Sequence, residues 1–499
     1  MLVWFLPAFL LFLVIGLPVF FALLVAPGLL LWLNGQERDM ALLYRNVYNG
    51  MDSFPLMALP FFMLAGELMN RGRITNRLIE FSQALMGHLR GGLAHVNILS
   101  SMLFAGLSGS AVADTSALGS TLIPAMKKNG YSTKLAAAVT AASSVIGPII
   151  PPSGIMIIYA YVMGESVAAL FLAGIVPGVL VGVGLMAVVR LMADKYQMPK
   201  AERIVKQNQS ISVLESRVSF FLLRINLAAL MVSLYFGLRS LLGWLTDLDI
   251  SVNGWLLLLL FLPLSHLFLL QLRQRVSSDF RIICKRAVAP LQTPIIILGG
   301  ILFGVFTPTE ASVVAVAYAL VIAFFILRSM KLSDLPQILI KSAMNASTIL
   351  LLVGAAVAFK TVVSLSHAPE QMADFILGLS NNPLILLFLI NILLFVVGMF
   401  LDAGPAIIIL GPILGPIFVD LGVHPVHFAI IMSVNLTVGL ATPPMGLVLF
   451  VASSVSGERV ESIARAIIPF LAVEILVIFL ITYIPAISMT IPRALGFAQ

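Results

Sequence analysis

The sequence has almost no cysteine and few charged residues. Its one cysteine, Cys284, has no partner in the chain, so neither an intrachain disulfide framework nor a cysteine-based metal site can form. Charged residues make up 10% of the 499 residues, hydrophobic residues make up 60%, and the mean hydropathy is +1.08. Because average proteins carry about 25% charged residues, this composition excludes a soluble globule and predicts a protein of the lipid bilayer.

The sequence also lacks the motifs of several enzyme classes. No Walker loop, HExxH motif, Ser-His-Asp arrangement or dinucleotide fingerprint is present. The six histidines show no metal-ligand spacing with carboxylates. The net charge of +7 is distributed over short loops and not over a basic patch with interleaved aromatics, which disfavours nucleic-acid binding. We therefore expect neither direct ATP drive nor catalysis from this chain.

Long apolar runs are what the sequence does contain. Eleven of them are long enough to cross a bilayer, and the first has no basic segment before it, so it is expected to be a retained span and not a cleaved signal peptide. Two further apolar regions are interrupted by Gly, Pro and Asp, which is typical of re-entrant hairpins. The predicted crossings are about Val3–Leu33, Phe54–Met69, Leu135–Val162, Val167–Val189, Val218–Leu242, Trp255–Leu272, Pro290–Phe306, Ala311–Leu327, Ala343–Val363, Phe428–Ser453 and Ile467–Ser488, and the predicted hairpins are Leu99–Met126 and Leu384–Val419.

Two basic loops orient these segments. Residues 190–224 and 273–286 are rich in Lys and Arg, which predicts that both loops are cytoplasmic. Counting crossings from them places the N-terminus inside and the C-terminus outside.

The chain contains an internal repeat. A shift of 292 positions superposes seven Gly and Pro residues without a gap, and the crossing count makes the first hairpin enter from the cytoplasm and the second from outside. We therefore predict inverted repeats: residues 1–215 form the first, 216–288 an inserted transmembrane helix pair with a basic linker, and 289–499 the second. The superposed pairs are Gly119 and Gly411, Pro124 and Pro416, Gly130 and Gly422, Gly147 and Gly439, Pro151 and Pro443, Pro152 and Pro444, and Gly154 and Gly446.

Each repeat is predicted to contain a broken helix, over Ser143–Gly154 and Asn435–Gly446. A Pro-Pro pair lacks two N–H groups, so carbonyls before it lose their helical partners. Freed carbonyls, together with Ser, Thr or Asn oxygens, can replace the water shell of a small cation such as Na⁺. The helix that restarts after the break points its positive end at the cavity, where a carboxylate is stabilised.

The hairpins contribute further polar residues. Asp402 is a functional candidate because a carboxylate at membrane depth is costly and because it is the repeat mate of Ser110. Asp114 has two interpretations, a functional carboxylate or a cap of the second hairpin arm. Ser108, Ser110 and Ser153 can each be binding residues or small packing residues.

Several stretches resemble the large membrane subunit of the tripartite ATP-independent periplasmic (TRAP) transporters. The resemblance covers nearly the whole chain except about Ser216–Ser278, which that family usually lacks or shortens. The inserted pair leaves open how a small membrane subunit docks. The similar stretches are Ser53–Pro55, Leu59–Gly66, Gly106–Gly119, the two Pro-Pro breaks, Phe306–Ala311 and Asp402–Pro416.

The resemblance implies an elevator-type transporter in the bacterial inner membrane. It implies a small four-helix membrane subunit and a periplasmic substrate-binding protein as partners, and import of a small organic carboxylate driven by a Na⁺ gradient. An ion-coupled exporter or exchanger of the same inverted-repeat class, without a binding protein, is the alternative. By match of motif and repeat position, the expected substrate residues are Ser108, Ser110, Ser153 and Asp402, and the expected Na⁺ residues are Ser143, Ser144, Gly147, Asn435, Thr437, Gly439 and Thr442.

Overall fold

A computed structural model of the protein describes most of the chain as helices. Within the described residues, the remaining regular structure is one isolated β-bridge between Arg90 and Lys200. The all-α prediction is therefore confirmed. The described residues are 8–9, 11–12, 15–33, 35, 37–72, 74–196, 198–200, 211–243, 254–365, 378, 380 and 382–498.

Seven helices in the described part are individually long and apolar enough to span a membrane, and five further apolar helices are shorter. The chain begins with α1 (Val19–Leu33), α2 (Glu37–Met51), α3 (Ala58–Arg71), α4 (Ile74–Met86), α5 (Gly92–Ser108), α6 (Ala111–Lys128), α7 (Thr133–Ser144), α8 (Gly154–Met163) and α9 (Val167–Lys195). The insertion and the start of the second repeat contain α10 (Val213–Gly243), α11 (Gly254–Arg275), α12 (Ser278–Leu302), α13 (Pro308–Val321) and α14 (Leu335–Leu365). The chain continues with α15 (Pro383–Phe400), α16 (Ala403–Asp420), α17 (Pro425–Gly439), α18 (Leu447–Ser456), α19 (Val460–Tyr483) and α20 (Ala486–Ala494).

The repeat is visible in the helix boundaries. Helices α5 and α6 form hairpin 1 and α15 and α16 form hairpin 2; a shift of 292 positions carries the bounds of α6 onto those of α16. Helices α7 and α8 form broken helix 1, α17 and α18 form broken helix 2, and α17 begins 292 positions after α7. Gly130 and Gly422, which end the two hairpins, have φ values of 88° and 87°. The matching Gly and Pro residues therefore mark equivalent backbone positions.

The two repeats interlock around the broken helices. Helix α8 packs against α16, and α18 packs against α6, so the second half of each broken helix contacts the hairpin of the other repeat. Val455 lies next to Gly119, and Met163, its repeat mate, lies next to Gly411. Every residue of α7 from Leu135 to Ser144 is buried, so the first halves of the broken helices lie in the core.

The remaining helices form an outer layer, and the inserted pair belongs to it. Helix α14 packs against α1, α2 and α3, while α4 packs against α12, and α10 packs against α11 and α12. Arg77 of α4 forms an ion pair with Glu215 of α10, and Lys285 donates to the Ser216 hydroxyl at 2.8 Å. The pair is therefore anchored on α4 and α12. The boundaries predicted at residues 216 and 288 stay predictions.

Two details differ from the sequence predictions. The span predicted at Val3–Leu33 is interrupted by a turn at Gly16, whose φ is 91°, and residues 1–7 lie outside the described part of the chain. Helix α2 was missed because its sequence mixes polar and apolar residues, so no apolar run marks it. It packs along α14, where Asn46 donates to the Thr361 hydroxyl at 3.0 Å.

Two charged side chains bind the ends of helices. Glu310 forms a capping box with Thr307 at the start of α13. The Nζ of Lys360 donates to the Val162 carbonyl at 2.6 Å, near the end of α8. That carbonyl lacks a helical partner, so the ammonium group binds it.

Candidate functional site

The tip of hairpin 1 lies directly against the break in broken helix 1, residues 145–153. Gly109 ends α5 with a φ of 61°, and a Cβ placed there would lie 2.7 Å from the Pro152 carbonyl oxygen. The left-handed backbone and the close approach both require glycine. The tip and the break therefore form one site.

Two serines occupy the tip. Ser110 caps α6 by accepting a hydrogen bond from the Ala113 N–H at 3.4 Å. The Ser108 hydroxyl accepts from the Ser110 N–H at 3.3 Å and donates to Oδ1 of Asp114. Both serines are partly exposed. The structure brings Ser108 and Ser110 together at the mouth of the site.

Asp114 lies in the first turn of α6 and is fully buried. Ser110 caps this helix, so the interpretation of Asp114 as the cap is wrong. Its Oδ1 accepts from Ser108, while its Oδ2 has no hydrogen-bond partner within the described residues. A Cβ at Gly147 would lie 2.4 Å from that oxygen, so glycine is what admits the carboxylate to the break. An unpaired buried carboxylate oxygen is a suitable ligand for a hard cation.

The hydroxyls of Ser143 and Ser144 are occupied by neighbouring helices. Ser143 accepts from Ser101 at 2.9 Å and Ser144 accepts from Thr115 at 2.7 Å. These bonds join α7 to α5 and α6. The Ser144 carbonyl oxygen lies 3.1 Å from the Cβ position of Gly147, on the same side of the break as Oδ2 of Asp114. The oxygens available at this break are thus the backbone carbonyl oxygens and the Asp114 carboxylate, and not the hydroxyls of the two serines.

Ser153 closes the break. It is fully buried, accepts from the Met156 N–H at 3.4 Å as the cap of α8, and donates to the Pro148 carbonyl at 2.5 Å. It lies between the tip of hairpin 1 and the start of α8, and its role in substrate binding stays a prediction. Its donor hydrogen is used within the loop.

The second break, residues 440–446, also separates two helices, as the first break does, but its side chains differ. Gly398 of α15 packs against Gly439 so closely that a Cβ at Gly439 would lie 2.6 Å from the Gly398 backbone. The hydroxyl of Thr437 donates to the Ser433 carbonyl at 2.8 Å, and that of Thr442 donates to the Val438 carbonyl at 2.9 Å. Each threonine oxygen can still accept a further interaction.

Asn435, in α17 just before this break, has a buried and unsatisfied side-chain oxygen. Its amide nitrogen donates to the Asn391 side chain at 2.6 Å and to the Ile431 carbonyl at 2.8 Å. Its Oδ1 has no partner within the described residues. The second broken helix therefore also has an orphaned oxygen, but it is neutral and lies in α17 before the break.

Asp402 stands at the tip of hairpin 2 and is exposed. Its Oδ1 accepts from the Ala403 N–H at 2.8 Å, so it caps α16 as its repeat mate Ser110 caps α6. A Cβ on Gly404 would lie 3.6 Å from Ile158 of α8, which places hairpin 2 beside the helix that starts after Ser153. Asp402 thus lies on the element that packs against the first site and is available to a ligand.

Sequence reasoning missed polar residues that hold broken helix 1 and α19 to the hairpins. Asn97 donates to the Thr140 hydroxyl at 2.7 Å in the first repeat, and Thr482 donates to Oδ1 of Asn391 at 3.2 Å in the second. All four are buried. Isolated amides within apolar runs, such as Asn97 and Asn391, are the signal that could have identified them.

Two helix N-termini meet at the first site. A Cβ at Gly109 would lie 3.4 Å from the Gly154 nitrogen, so the start of α8 adjoins the start of α6. Helix N-termini carry partial positive charge and unpaired N–H groups, which favour anions. An anion can therefore be held at this mouth while a cation is held deeper, at Asp114.

Comparison with known proteins identifies relatives over nearly the full length of the chain. The family model "Tripartite ATP-independent periplasmic transporter, DctM component" matches residues 6–487. The C4-dicarboxylate TRAP transporter large permease protein DctM of Pseudomonas aeruginosa is 33% identical over 470 residues, covering 94% of this chain and 93% of that protein. The sialic acid TRAP transporter large permease protein SiaM of Vibrio cholerae is 33% identical over 489 residues, covering 97% of each chain.

A third relative and one solved structure are also similar to this chain. The 2,3-diketo-L-gulonate TRAP transporter large permease protein YiaN of Escherichia coli is 32% identical over 473 residues, covering 94% of each chain. The crystal structure of the Alcanivorax borkumensis YdaH transporter superposes with a TM-score of 0.52 at 16% sequence identity, covering 93% of this chain and 90% of that one. The latter similarity concerns the fold alone.

Proposed function

Because the chain belongs to the DctM family of TRAP transporter large permease subunits, we propose that it imports a small organic carboxylate, driven by an inward Na⁺ gradient. Membership of the family confirms that the protein is a multi-pass inner-membrane transporter subunit and not an enzyme. The family transports organic acids and works with a small membrane subunit and a periplasmic binding protein. Na⁺ coupling, the substrate and the individual binding residues are the proposal.

The observation that carries the proposal is the pair of orphaned oxygens at the two breaks. Oδ2 of Asp114 and Oδ1 of Asn435 are buried without a hydrogen-bond partner among the described residues. Leaving such atoms unsatisfied costs roughly 1–3 kcal/mol each, and more for a charged group. A Na⁺ ion at each break satisfies both oxygens and uses the second lone pairs of the backbone carbonyls around Gly147 and Gly439, several of which accept one N–H hydrogen bond already. Sodium is cargo here, since it enters with the substrate.

The proposed substrate site lies at the mouth, above the first cation. The N-termini of α6 and α8 and the hydroxyl hydrogen of Ser110 favour a carboxylate there, while Ser108 donates its own hydroxyl hydrogen to Asp114 and holds that side chain beside the site. The relatives' names support this class, since C4-dicarboxylates, sialic acid and 2,3-diketo-L-gulonate are all organic acids. Asp402, exposed at the neighbouring tip, accepts hydrogen bonds from substrate hydroxyl groups, and Ser153 keeps the wall of the site in place.

Coupling follows from charge. Without a cation, the Asp114 carboxylate repels a substrate carboxylate bound near it. Bound Na⁺ cancels that repulsion and leaves the attraction of the two helix N-termini, so Na⁺ and substrate each favour the other's binding by the same free energy. We propose that hairpins and broken helices then move together against the outer layer, as in an elevator. The small membrane subunit extends the outer layer, and the periplasmic binding protein delivers the substrate.

The test is uptake into proteoliposomes that contain the chain and its small subunit, with the loaded binding protein outside. We expect uptake to require both the binding protein and an inward Na⁺ gradient. Asp114→Asn should strongly weaken the Na⁺ dependence, while the matched change Asp279→Asn, at an exposed residue of α12, should leave it intact. Uptake without Na⁺ would refute the coupling, and uptake without the binding protein would favour the exporter or exchanger alternative.

A further inference from the structure

A cleft opens at the base of hairpin 1, away from the site described above. It has a volume of about 610 Å³ and lies between α4, α6, α12 and the loop that follows α13. Its polar lining consists mainly of Arg77, Glu80, Thr121, Arg286, Arg328 and Ser329. The cleft therefore joins hairpin 1, through Thr121, to the outer layer.

Two of the three arginines are already paired. Arg77 forms an ion pair with Glu215 of α10 and donates to the Arg286 carbonyl at 3.3 Å. Arg286 lies 3.2 Å from Oε2 of Glu80, and the four side chains are 7–30% exposed. The two ion pairs form one wall of the cleft, in which two arginines are balanced by two glutamates.

Arg328 differs from the other two. It is exposed, and no carboxylate within the described part of the chain lies at ion-pair distance from it. Its φ of 49° lies in the left-handed region that L-residues rarely adopt, just after the π-helical turn Ile322–Ile326. The following residue is fixed, since the Ser329 N–H donates to the Ala323 carbonyl at 2.9 Å. Arg328 thus gives the cleft one positive charge that no carboxylate among the described residues offsets.

We propose that this cleft binds a phosphate-bearing anion. A guanidinium fork matches phosphate oxygens, and the exposed Thr121 hydroxyl adds a donor from hairpin 1. Basic pockets between membrane helices on the cytoplasmic side suit anionic lipid headgroups, and the basic residues of this loop predict that side. Exposed Val321 and Phe325 lead away from the cleft along the same helix, where acyl chains can lie.

Occupancy has a structural consequence. A phosphate held by Arg328 and Thr121 contacts the outer layer and hairpin 1 at once, so it ties the base of the hairpin to the helices around it. The bound anion should therefore raise the thermal stability of the folded chain.

The experiment measures the melting temperature of the purified full chain in detergent while four compounds are titrated: phosphatidylglycerol, phosphatidylcholine, sn-glycerol 3-phosphate and inorganic phosphate. We expect phosphatidylglycerol to stabilise the protein and Arg328→Gln to raise its half-saturating concentration about tenfold. Arg328→Lys, which keeps the charge but not the fork, should lose less. Arg190→Gln, a matched change at an exposed arginine of α9, should behave as the native protein.

Each outcome decides the proposal. Stabilisation by phosphatidylglycerol alone identifies a lipid headgroup, and an equal Arg328-dependent response to the soluble phosphates identifies a free phosphate compound at the same site. The proposal fails if phosphatidylcholine stabilises as well as phosphatidylglycerol, if none of the anions stabilises, or if Arg328→Gln and Arg190→Gln respond alike.

Discussion

Substitution of Gly147 by alanine tests the first cation site without removing any polar group. A Cβ at this position would lie 2.4 Å from Oδ2 of Asp114, whereas real Cβ contacts essentially never fall below 3.0 Å. The carboxylate must therefore retreat by at least 0.6 Å from the break. Its Oδ1 is held by Ser108, so the retreat also disturbs that bond.

The displacement of the carboxylate determines how much Na⁺ affinity should be lost. Changes that misplace a metal ligand without deleting it typically reduce metal affinity by about 10–100-fold. We therefore expect Gly147→Ala to raise the Na⁺ concentration for half-maximal uptake about 10–100-fold. Because Asp114 itself remains, saturating Na⁺ should restore much of the uptake.

The assay is the Na⁺ dependence of uptake in proteoliposomes, with melting temperature and gel-filtration profile as checks on folding. Gly411→Ala is the matched control, since the nearest atom to its Cβ position is the Met163 sulfur at 3.6 Å, an ordinary contact. A native Na⁺ dependence in a well-folded Gly147→Ala protein would contradict the assignment of Asp114 as a cation ligand.

Three further predictions concern stability and are checked by thermal melting of purified variants. Gly439→Ala should cost about 1–3 kcal/mol, because its Cβ meets the Gly398 backbone, which cannot rotate away. Both carboxylate oxygens of Glu474 are buried without a hydrogen-bond partner in the described part of the structure. Glu474→Gln should therefore be tolerated, while Glu474→Lys should abolish folding, because no group there can compensate the charge of the lysine. Arg77→Gln should cost about 3 kcal/mol by stranding Glu215, and adding Glu215→Gln should recover most of it; an additive double variant would contradict the pairing.

The architecture could be predicted because particular residue types, glycine and proline, mark the places where its helices break. Glycine and proline interrupt helices for steric and hydrogen-bonding reasons that do not depend on tertiary context, so Gly130, Gly422 and the two Pro-Pro pairs mark equivalent backbone positions. Helix α2 escaped prediction for the opposite reason. Its sequence carries no apolar run, and its place is fixed by contact with α14, which no local pattern reveals.

The site was predictable in outline and not in its chemistry. Sequence spacing identified Ser143 and Ser144 near the break, but a helix of 3.6 residues per turn points neighbouring side chains in different directions, and both hydroxyls turn to α5 and α6. Asp114 was left undecided because its role depends on a neighbour in space, Gly147, that lies 33 positions away in the sequence. Whether a polar atom has a partner is a property of packing.

The same packing makes the two breaks chemically unequal. The repeat mate of Asp114 is Ala406, so the second break has no carboxylate at the equivalent position and relies on the neutral oxygen of Asn435. A cation at the first break meets a full negative charge in a low-dielectric setting, while one at the second meets dipoles only. If both breaks bind Na⁺, the first should bind it more tightly and lose more on neutralisation. Asp114→Asn should therefore weaken Na⁺ dependence more than Asn435→Ala, and the reverse order would place the dominant cation site at the second break.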